Sequence, residues 1–207
     1  MSTQAPMEQP YPRPLSGAPV TELPSGLIPA RAPLRGHTVE LVPQDARLHA
    51  ADLYAAGHDS GHFHGQSSNL DINPLMGVIE IGHIWFGPQL MRTRAATEAL
   101  YLMIRHAMDD LGYRRMHWRC NSLNEKSRQA ARRLGLRFEG VFYNHMIFKG
   151  KNRDTAWYSI LDDEWPEVRA IFETWLDDAN FNDEGVAQTS LLEMMSQRSP
   201  SQRGNQS

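Results

Sequence analysis

The sequence holds a single cysteine, Cys120, so no internal disulfide can brace the fold, a composition compatible with a reducing compartment. No apolar run approaches the length of a membrane span. The N-terminus lacks both the apolar core of a signal peptide and the Arg-rich, amphipathic character of a transit peptide. Positive charge is not in excess either. The 21 Lys and Arg against 24 Asp and Glu leave a formal net charge of −3, which exerts no general pull on nucleic acid or anionic lipid. These absences point to a cytoplasmic protein that engages neither membrane nor nucleic acid. No internal repeat is visible. What remains is a chain of 207 residues, 41% hydrophobic and 22% charged, enough for one domain with a core and two tails.

Residues 1–33 are rich in Pro, Ser, Gly and Ala. They cannot bury enough apolar surface to offset their ordering entropy, so disorder is expected. Residues 181–207 are polar and are expected to be disordered too, although Leu191, Leu192, Met194 and Met195 could make a short helical contact. That leaves one domain at 34–180.

Within it, His37–Val42 alternates and reads as a strand, and Ala46–Ala56 favours helix. His58–Pro74, built of Gly, Ser, Asn and His, reads as a loop. Val78–Phe86 is a strong strand, with Val78, Glu80, Gly82, Ile84 and Phe86 on one face and Ile79, Ile81, His83 and Trp85 on the other. Arg94–Leu111 is the clearest helix, stopped by Gly112. Arg115–Cys120 is a strand. Asn124–Leu134 is a second helix, with Ser122 and Glu125 at capping-box spacing, Asn124 as a competing cap and Gly135 as its end. Phe138–Phe148 and Thr155–Leu161 form a hairpin around the polar turn Lys149–Asp154. Pro166 opens a last helix with Val168, Ile171, Phe172 and Trp175 on one face. The fold class is α/β. Trp157, Trp165, Trp175 and Cys120 fall at core-facing positions.

Chemistry concentrates where the Val78–Phe86 strand gives way, through a polar loop, to the long helix. First-turn amides have no intrahelical partner and carry the positive end of the helix dipole, a ready site for phosphate. Arg92, Thr93, Arg94 and Thr97 add charge and hydroxyl donors there. The competing reading is a solvated basic turn. His58, His62 and His64 have a spacing that could ligate metal, but no cysteine nearby completes a set. A solvated loop is favoured, and no metal is expected.

The segment Glu80-Ile81-Gly82-His83-Ile84-Trp85-Phe86, followed by Arg92-Thr93-Arg94-Ala95-Ala96-Thr97-Glu98-Ala99-Leu100, resembles the coenzyme A-binding strand and helix of the GNAT superfamily of N-acetyltransferases. The similarity is greatest to the branch resembling ribosomal-protein N-terminal acetyltransferases. It extends through Asn121–Arg128, Leu134–Gly140 and Lys149–Ser159, and upstream to Leu34–Leu41, in the right order over about residues 34–176. The resemblance implies a mixed sheet with flanking helices, whose coenzyme-binding strand splays from its neighbour. Backbone groups at Ile84, Trp85 and Phe86 would then pair with the pantetheine arm. The amides of Arg92, Thr93, Arg94, Ala95, Ala96 and Thr97 would hold the pyrophosphate, and Asn124 would face the arm. In the usual loop pattern Arg94 takes a slot that the family fills with glycine, and its guanidinium is a candidate compensating contact. Between the first helix and the Val78 strand the family carries a further helix and two strands. Only His58–Gly77 stands there in this chain. The N-terminal half is thus expected to be shortened, lacking the second and third strands, and to leave a bare edge beside Val78–Phe86. Closure of that edge by His37–Val42, or by a second copy in a homodimer, is expected.

The resemblance implies acetyl transfer from acetyl-CoA to a primary amine, of a protein N-terminus or a small molecule, by direct attack. Glu80 is the candidate base, set against an ordinary sheet-surface glutamate. The tyrosine that many relatives use as acid aligns with Ala131, which leaves Ser127, Tyr143 and His145 as candidates. His83 reads as a packed or surface histidine. Two alternatives stand beside the enzyme: a non-catalytic acyl-CoA-binding protein, and a structural module that pairs its bare edge with another chain.

Overall fold

A computed structural model describes residues 8–13, 17, 19–57 and 64–199. His58 and His62 lie outside the described residues, as do the two ends of the chain. Leu34–Arg35 (β1) and Glu40–Leu41 (β2) form a small antiparallel ribbon. Helix α1, Ala46–Ala56, follows, its first turn capped by Asp45, whose carboxylate accepts from the Arg47 amide at 2.8 Å. The main sheet comprises Gly65–Asn73 (β3), Val78–Phe86 (β4), Arg115–Asn121 (β5), Arg137–Phe148 (β6) and Lys151–Leu161 (β7). Its spatial order is β3-β4-β5-β7-β6. Only β4 and β5 run parallel; every other pair is antiparallel.

Helices α2 (Arg94–Arg105), α3 (Glu125–Arg133) and α4 (Trp165–Leu176) flank the sheet. After α2 the chain widens into one π-helical turn, His106–Asp110, before Gly112 at φ 64 ends it. Ile79, Ile81, Met116, Tyr158 and Ile160 from the sheet join Ile104, Leu134, Val168 and Phe172 from the helices in one buried cluster. Each large apolar side chain so buried stabilises the fold by roughly 1.5–3 kcal/mol. Among the described residues, no helix is long and apolar enough to cross a membrane.

Four expectations need correction. The stretch read as a loop before Val78 contains β3, a nine-residue strand paired along β4. One of the two strands expected to be lost is therefore supplied by this chain, and β3, not β4, is the sheet's edge. His37–Val42 does not close that edge: only Glu40–Leu41 is strand, and it pairs with β1. Third, the hairpin turn is only Lys149–Gly150, with both residues at positive φ, the geometry that matches the twist of the flanking strands. Fourth, segments read as disordered make specific contacts. Glu8 accepts from Arg128 and Arg132, at 3.0 and 2.7 Å, and Arg13 bridges Glu139 and Glu164, each at 2.8 Å. At the other end, Leu191–Ser196 (α5) buries Leu191 and Met195, in keeping with the short helical contact allowed for there. Composition weighs apolar burial; the first of these contacts are made by charge.

Besides the packing of Leu34 and Leu41 on the core, a carboxylate ties the β1–β2 ribbon to α2. Glu98, 7% exposed, accepts from the amides of His37 and Thr38 at 2.5 and 2.7 Å and from the Thr38 hydroxyl. Gly36 permits this approach, because a Cβ there would lie 2.5 Å from Glu98 Oε1. Glu98→Ala should destabilise the protein by about 2–4 kcal/mol, since two amides and a hydroxyl lose a charged acceptor. Denaturant unfolding measures this; a loss under about 0.5 kcal/mol would mean the ribbon is held by something else.

Candidate active site

Strand β4 pairs with β5 over only three residues: Val78 with Arg115, Ile79 with Met116 and Glu80 with His117. Strand β5 continues to Asn121, pairing with β7 all the way. The cause of the divergence lies in β4. Its register with β3 slips between Trp85 and Gly82, and His83 sits there at φ 47. A bulge bends a strand and increases its twist, and here it carries the end of β4 away from β5. It also resets the faces. Ile84 and Phe86 pack towards the same cluster as Ile79 and Ile81, while His83 and Trp85 are exposed. The simple alternation expected for this strand therefore holds only up to Gly82.

The opening is bordered on its β5 side by Trp118 and Cys120, both buried. Asn124 caps α3, its side chain accepting from the Ser127 amide at 3.2 Å, and Trp118 Nε1 donates to Ser127 Oγ at 3.0 Å. Burial pushes the Cys120 thiol above its usual pKa, which keeps it protonated and argues against a nucleophilic role. Ala131, at the position where many relatives carry a tyrosine, is fully buried.

Past β4, Gly87–Thr93 coils tightly into α2. Arg92 lies at φ 65 and Thr93 is the N-cap. Thr93 Oγ1 accepts from the Ala96 amide at 3.1 Å, and the Thr97 and Thr93 amides already donate to Thr93 O and Leu90 O. Among the described residues, the amides of Arg92, Arg94 and Ala95 are left with no acceptor. These three, at the positive end of a twelve-residue helix, form the part of the turn that fits an anion. The guanidinium of Arg94 does not. It binds Asp178 at 2.7 Å and the Leu176 carbonyl, and lies 4.4 Å from the Phe181 ring centroid. Arg94 in turn holds the Asp178 carboxyl below its ordinary pKa. The compensating phosphate contact expected of the Arg94 side chain is thus corrected: the downstream segment claims it. Arg133, by contrast, reaches this helix without a carboxylate partner among the described residues. It donates to Thr97 Oγ1 at 3.0 Å and lies 5.1 Å from the Trp175 ring centroid, and burial lowers its pKa.

Glu80, 3% exposed, occupies the last paired position before the divergence. Arg119 Nε lies 2.8 Å from Glu80 Oε2, and Arg119 Nη2 lies 2.6 Å from Asp71 Oδ2 on β3. His117, 4% exposed, has neither ring nitrogen hydrogen-bonded, and its Nε2 is 3.7 Å from Glu80 Oε2. Asp71, Glu80 and His117 bring one potential metal-ligand atom each within 4.8 Å of one another. The guanidinium already between the carboxylates supplies the counter-charge, so the cluster is an ion-paired network and not a ready cation cage. The reading of the sequence missed Arg119, Asp71 and His117. Asp71 sits at φ 43 on a β3 bulge, and no periodicity marks such a residue.

Tyr143 is not brought to Glu80. It is 65% exposed on β6, three strands away in the sheet order. His145 is tied to Thr155 Oγ1 at 2.9 Å. Of the candidate acids, Ser127 is the one hydrogen-bonded to a β5 side chain, Trp118. A concavity of about 320 Å³, lined in part by Glu167, Ile171, Met194 and Arg198, opens between α4 and α5, away from these groups.

Residues 40–137 match the family described as Acetyltransferase (GNAT) domain. Among solved structures, a GCN5-related N-acetyltransferase from Brucella melitensis shares 35% identity, with 85% of this chain and 99% of that one covered and a TM-score of 0.80. A probable GNAT-family acetyltransferase from Chromobacterium violaceum shares 33% identity over 78% of this chain and all of the other, with a TM-score of 0.62. An acetyltransferase-like structure from T. thermophilus, 22% identical over 72% of this chain and 98% of the other, with a TM-score of 0.63, supports the fold alone. No curated protein matches. A parallel pair parting at Glu80, an anion turn beside it and near-complete coverage of two relatives lead to one conclusion: the chain belongs to the GNAT acetyltransferase family.

Proposed function

We propose that the protein transfers an acetyl group from acetyl-CoA to a primary amine, of a protein N-terminus or a small molecule. The observation that carries this reading is the opening between β4 and β5, with a buried carboxylate at its apex and three unpartnered amides at its mouth. The amides of Arg92, Arg94 and Ala95 fit the coenzyme pyrophosphate, and the part of β4 beyond Glu80 fits the pantetheine arm through its backbone. Asn124 and Ser127, at the start of α3, fit a place beside the arm, tied to β5 through the Trp118–Ser127 hydrogen bond.

In the direct reaction the amine nitrogen attacks the thioester carbonyl carbon. The new N–C bond forms, the C–S bond breaks, and the electron pair leaves with sulfur. Glu80 takes the proton that the amine sheds, directly or through one water. The thiolate gains a proton from the Ser127 hydroxyl or from solvent. Ser127 Oγ accepts from Trp118 Nε1, and the Ser127 side chain also hydrogen-bonds the Cys120 thiol, a contact its O–H would leave on turning to the sulfur.

Two measurements test the reading. Arg92→Glu should weaken acetyl-CoA binding about tenfold or more in a calorimetric titration, equivalent to about 1.4 kcal/mol. Unchanged affinity in the folded variant would move the coenzyme site elsewhere. Glu80→Gln should lower turnover about a hundredfold with coenzyme binding nearly intact. Wild-type turnover in that variant would remove Glu80 as the base. Tight binding of acetyl-CoA with no transfer to any of a broad amine panel would favour a non-catalytic acyl-CoA-binding protein instead.

A further inference from the structure

A buried carboxylate that must receive a proton has to be held so that one oxygen faces the reacting amine and the other is occupied. At Glu80 the contact comes from outside the coenzyme turn: a guanidinium pairs by charge with one oxygen, Oε2, without the geometry of a hydrogen bond. Arg119 is two residues beyond His117 on β5, hence on the same sheet face. Its guanidinium is fixed on three sides. Nε lies 2.8 Å from Glu80 Oε2 on β4, Nη2 lies 2.6 Å from Asp71 Oδ2 on β3, and Cζ lies 5.5 Å from the Trp157 ring centroid on β7. The other oxygen, Oε1, is directed along β4 towards the bulge, 3.0 Å from where a side chain on Gly82 would begin. Leu70 Cδ1 of β3 lies 2.9 Å from the same point, so Gly82 is what lets the Glu80 carboxylate and the Leu70 side chain meet there. His117 Nε2, at 3.7 Å, is beyond hydrogen-bonding distance and does not hold the carboxylate.

We infer that Arg119 is a positioning residue for the base: it occupies Glu80 Oε2 and leaves Oε1 as the oxygen that meets the acceptor amine. Asp71 acts one step further out, locking the guanidinium from the edge strand. The inference rests on the proposed role of Glu80, and its test separates the two. Arg119→Ala should lower kcat about tenfold or more while KM for acetyl-CoA changes less than about twofold. Added guanidinium chloride at millimolar concentration should restore part of that loss, and Arg119→Lys should retain more activity than Arg119→Ala. Neither effect is expected of a residue that merely stabilises the fold. In a Glu80→Gln background, Arg119→Ala should cost nothing further, because the two act as one unit. Acetyl-CoA titration of each variant confirms that it is folded. A kcat loss in Glu80→Gln without one in Arg119→Ala, a loss that neither guanidinium nor lysine relieves, or fully additive losses would overturn the positioning role alone. Wild-type turnover in Glu80→Gln would remove the base and the positioning role together.

Discussion

The structure depends on a parallel strand pair that comes apart. Over Val78–Glu80 the β4–β5 ladder is intact and buries Ile79 and Met116 completely. Beyond it the bulge at His83 turns β4 aside, and backbone groups that would have paired with β5 face an opening instead. Unpaired polar backbone is costly when buried, so such an opening persists only if its surroundings hold it. Here β3 pairs with β4 from the far side, across Gly65–Phe86 and Gln66–Trp85, and keeps its diverging end extended. On the near side β5 is locked to β7 over seven residue pairs and cannot follow β4.

The same divergence sets the electrostatics. Glu80 stands where the two strands part, and one guanidinium links it to Asp71 across the face of the sheet. A charge this deeply buried needs a partner, and Arg119 supplies one without closing the opening. A second polar anchor works at the other end of the sheet, where Arg13 joins Glu139 and Glu164 and ties the N-terminal segment to the domain. In both places the side chains that matter are charged and far apart in sequence.

That separation explains what the sequence reveals and what it hides. Ala46–Ala56, Val78–Phe86 and the start of α2 at Arg94 are legible because periodicity and capping are local signals. Gly65–Asn73 is not: Gly-Gln-Ser-Ser-Asn-Leu-Asp-Ile-Asn offers only Leu70 and Ile72 as large apolar residues, and an edge strand needs few. It is specified by its partner, as tertiary pairing overrides weak propensity. The bulges at Asp71, His83 and Asn144 leave no composition signal either, which is why the face assignment of β4 fails past Gly82. At the site, Glu80 and the Arg92–Ala95 turn are visible from resemblance and helix-start chemistry. The diversion of Arg94 to Asp178, and the assembly of Arg119, Asp71 and His117 around Glu80, arise only from packing.

The central claim is that the parted strands and the turn beyond them form one coenzyme site. Amide hydrogen exchange of the whole protein, with and without acetyl-CoA, tests it most directly. The account predicts that acetyl-CoA slows exchange at Gly82–Phe86 and at Arg92, Arg94 and Ala95 together, with β6 and the Lys149–Gly150 turn unaffected. Protection confined to the concavity between α4 and α5, or absent from β4 while present at the turn, would contradict it.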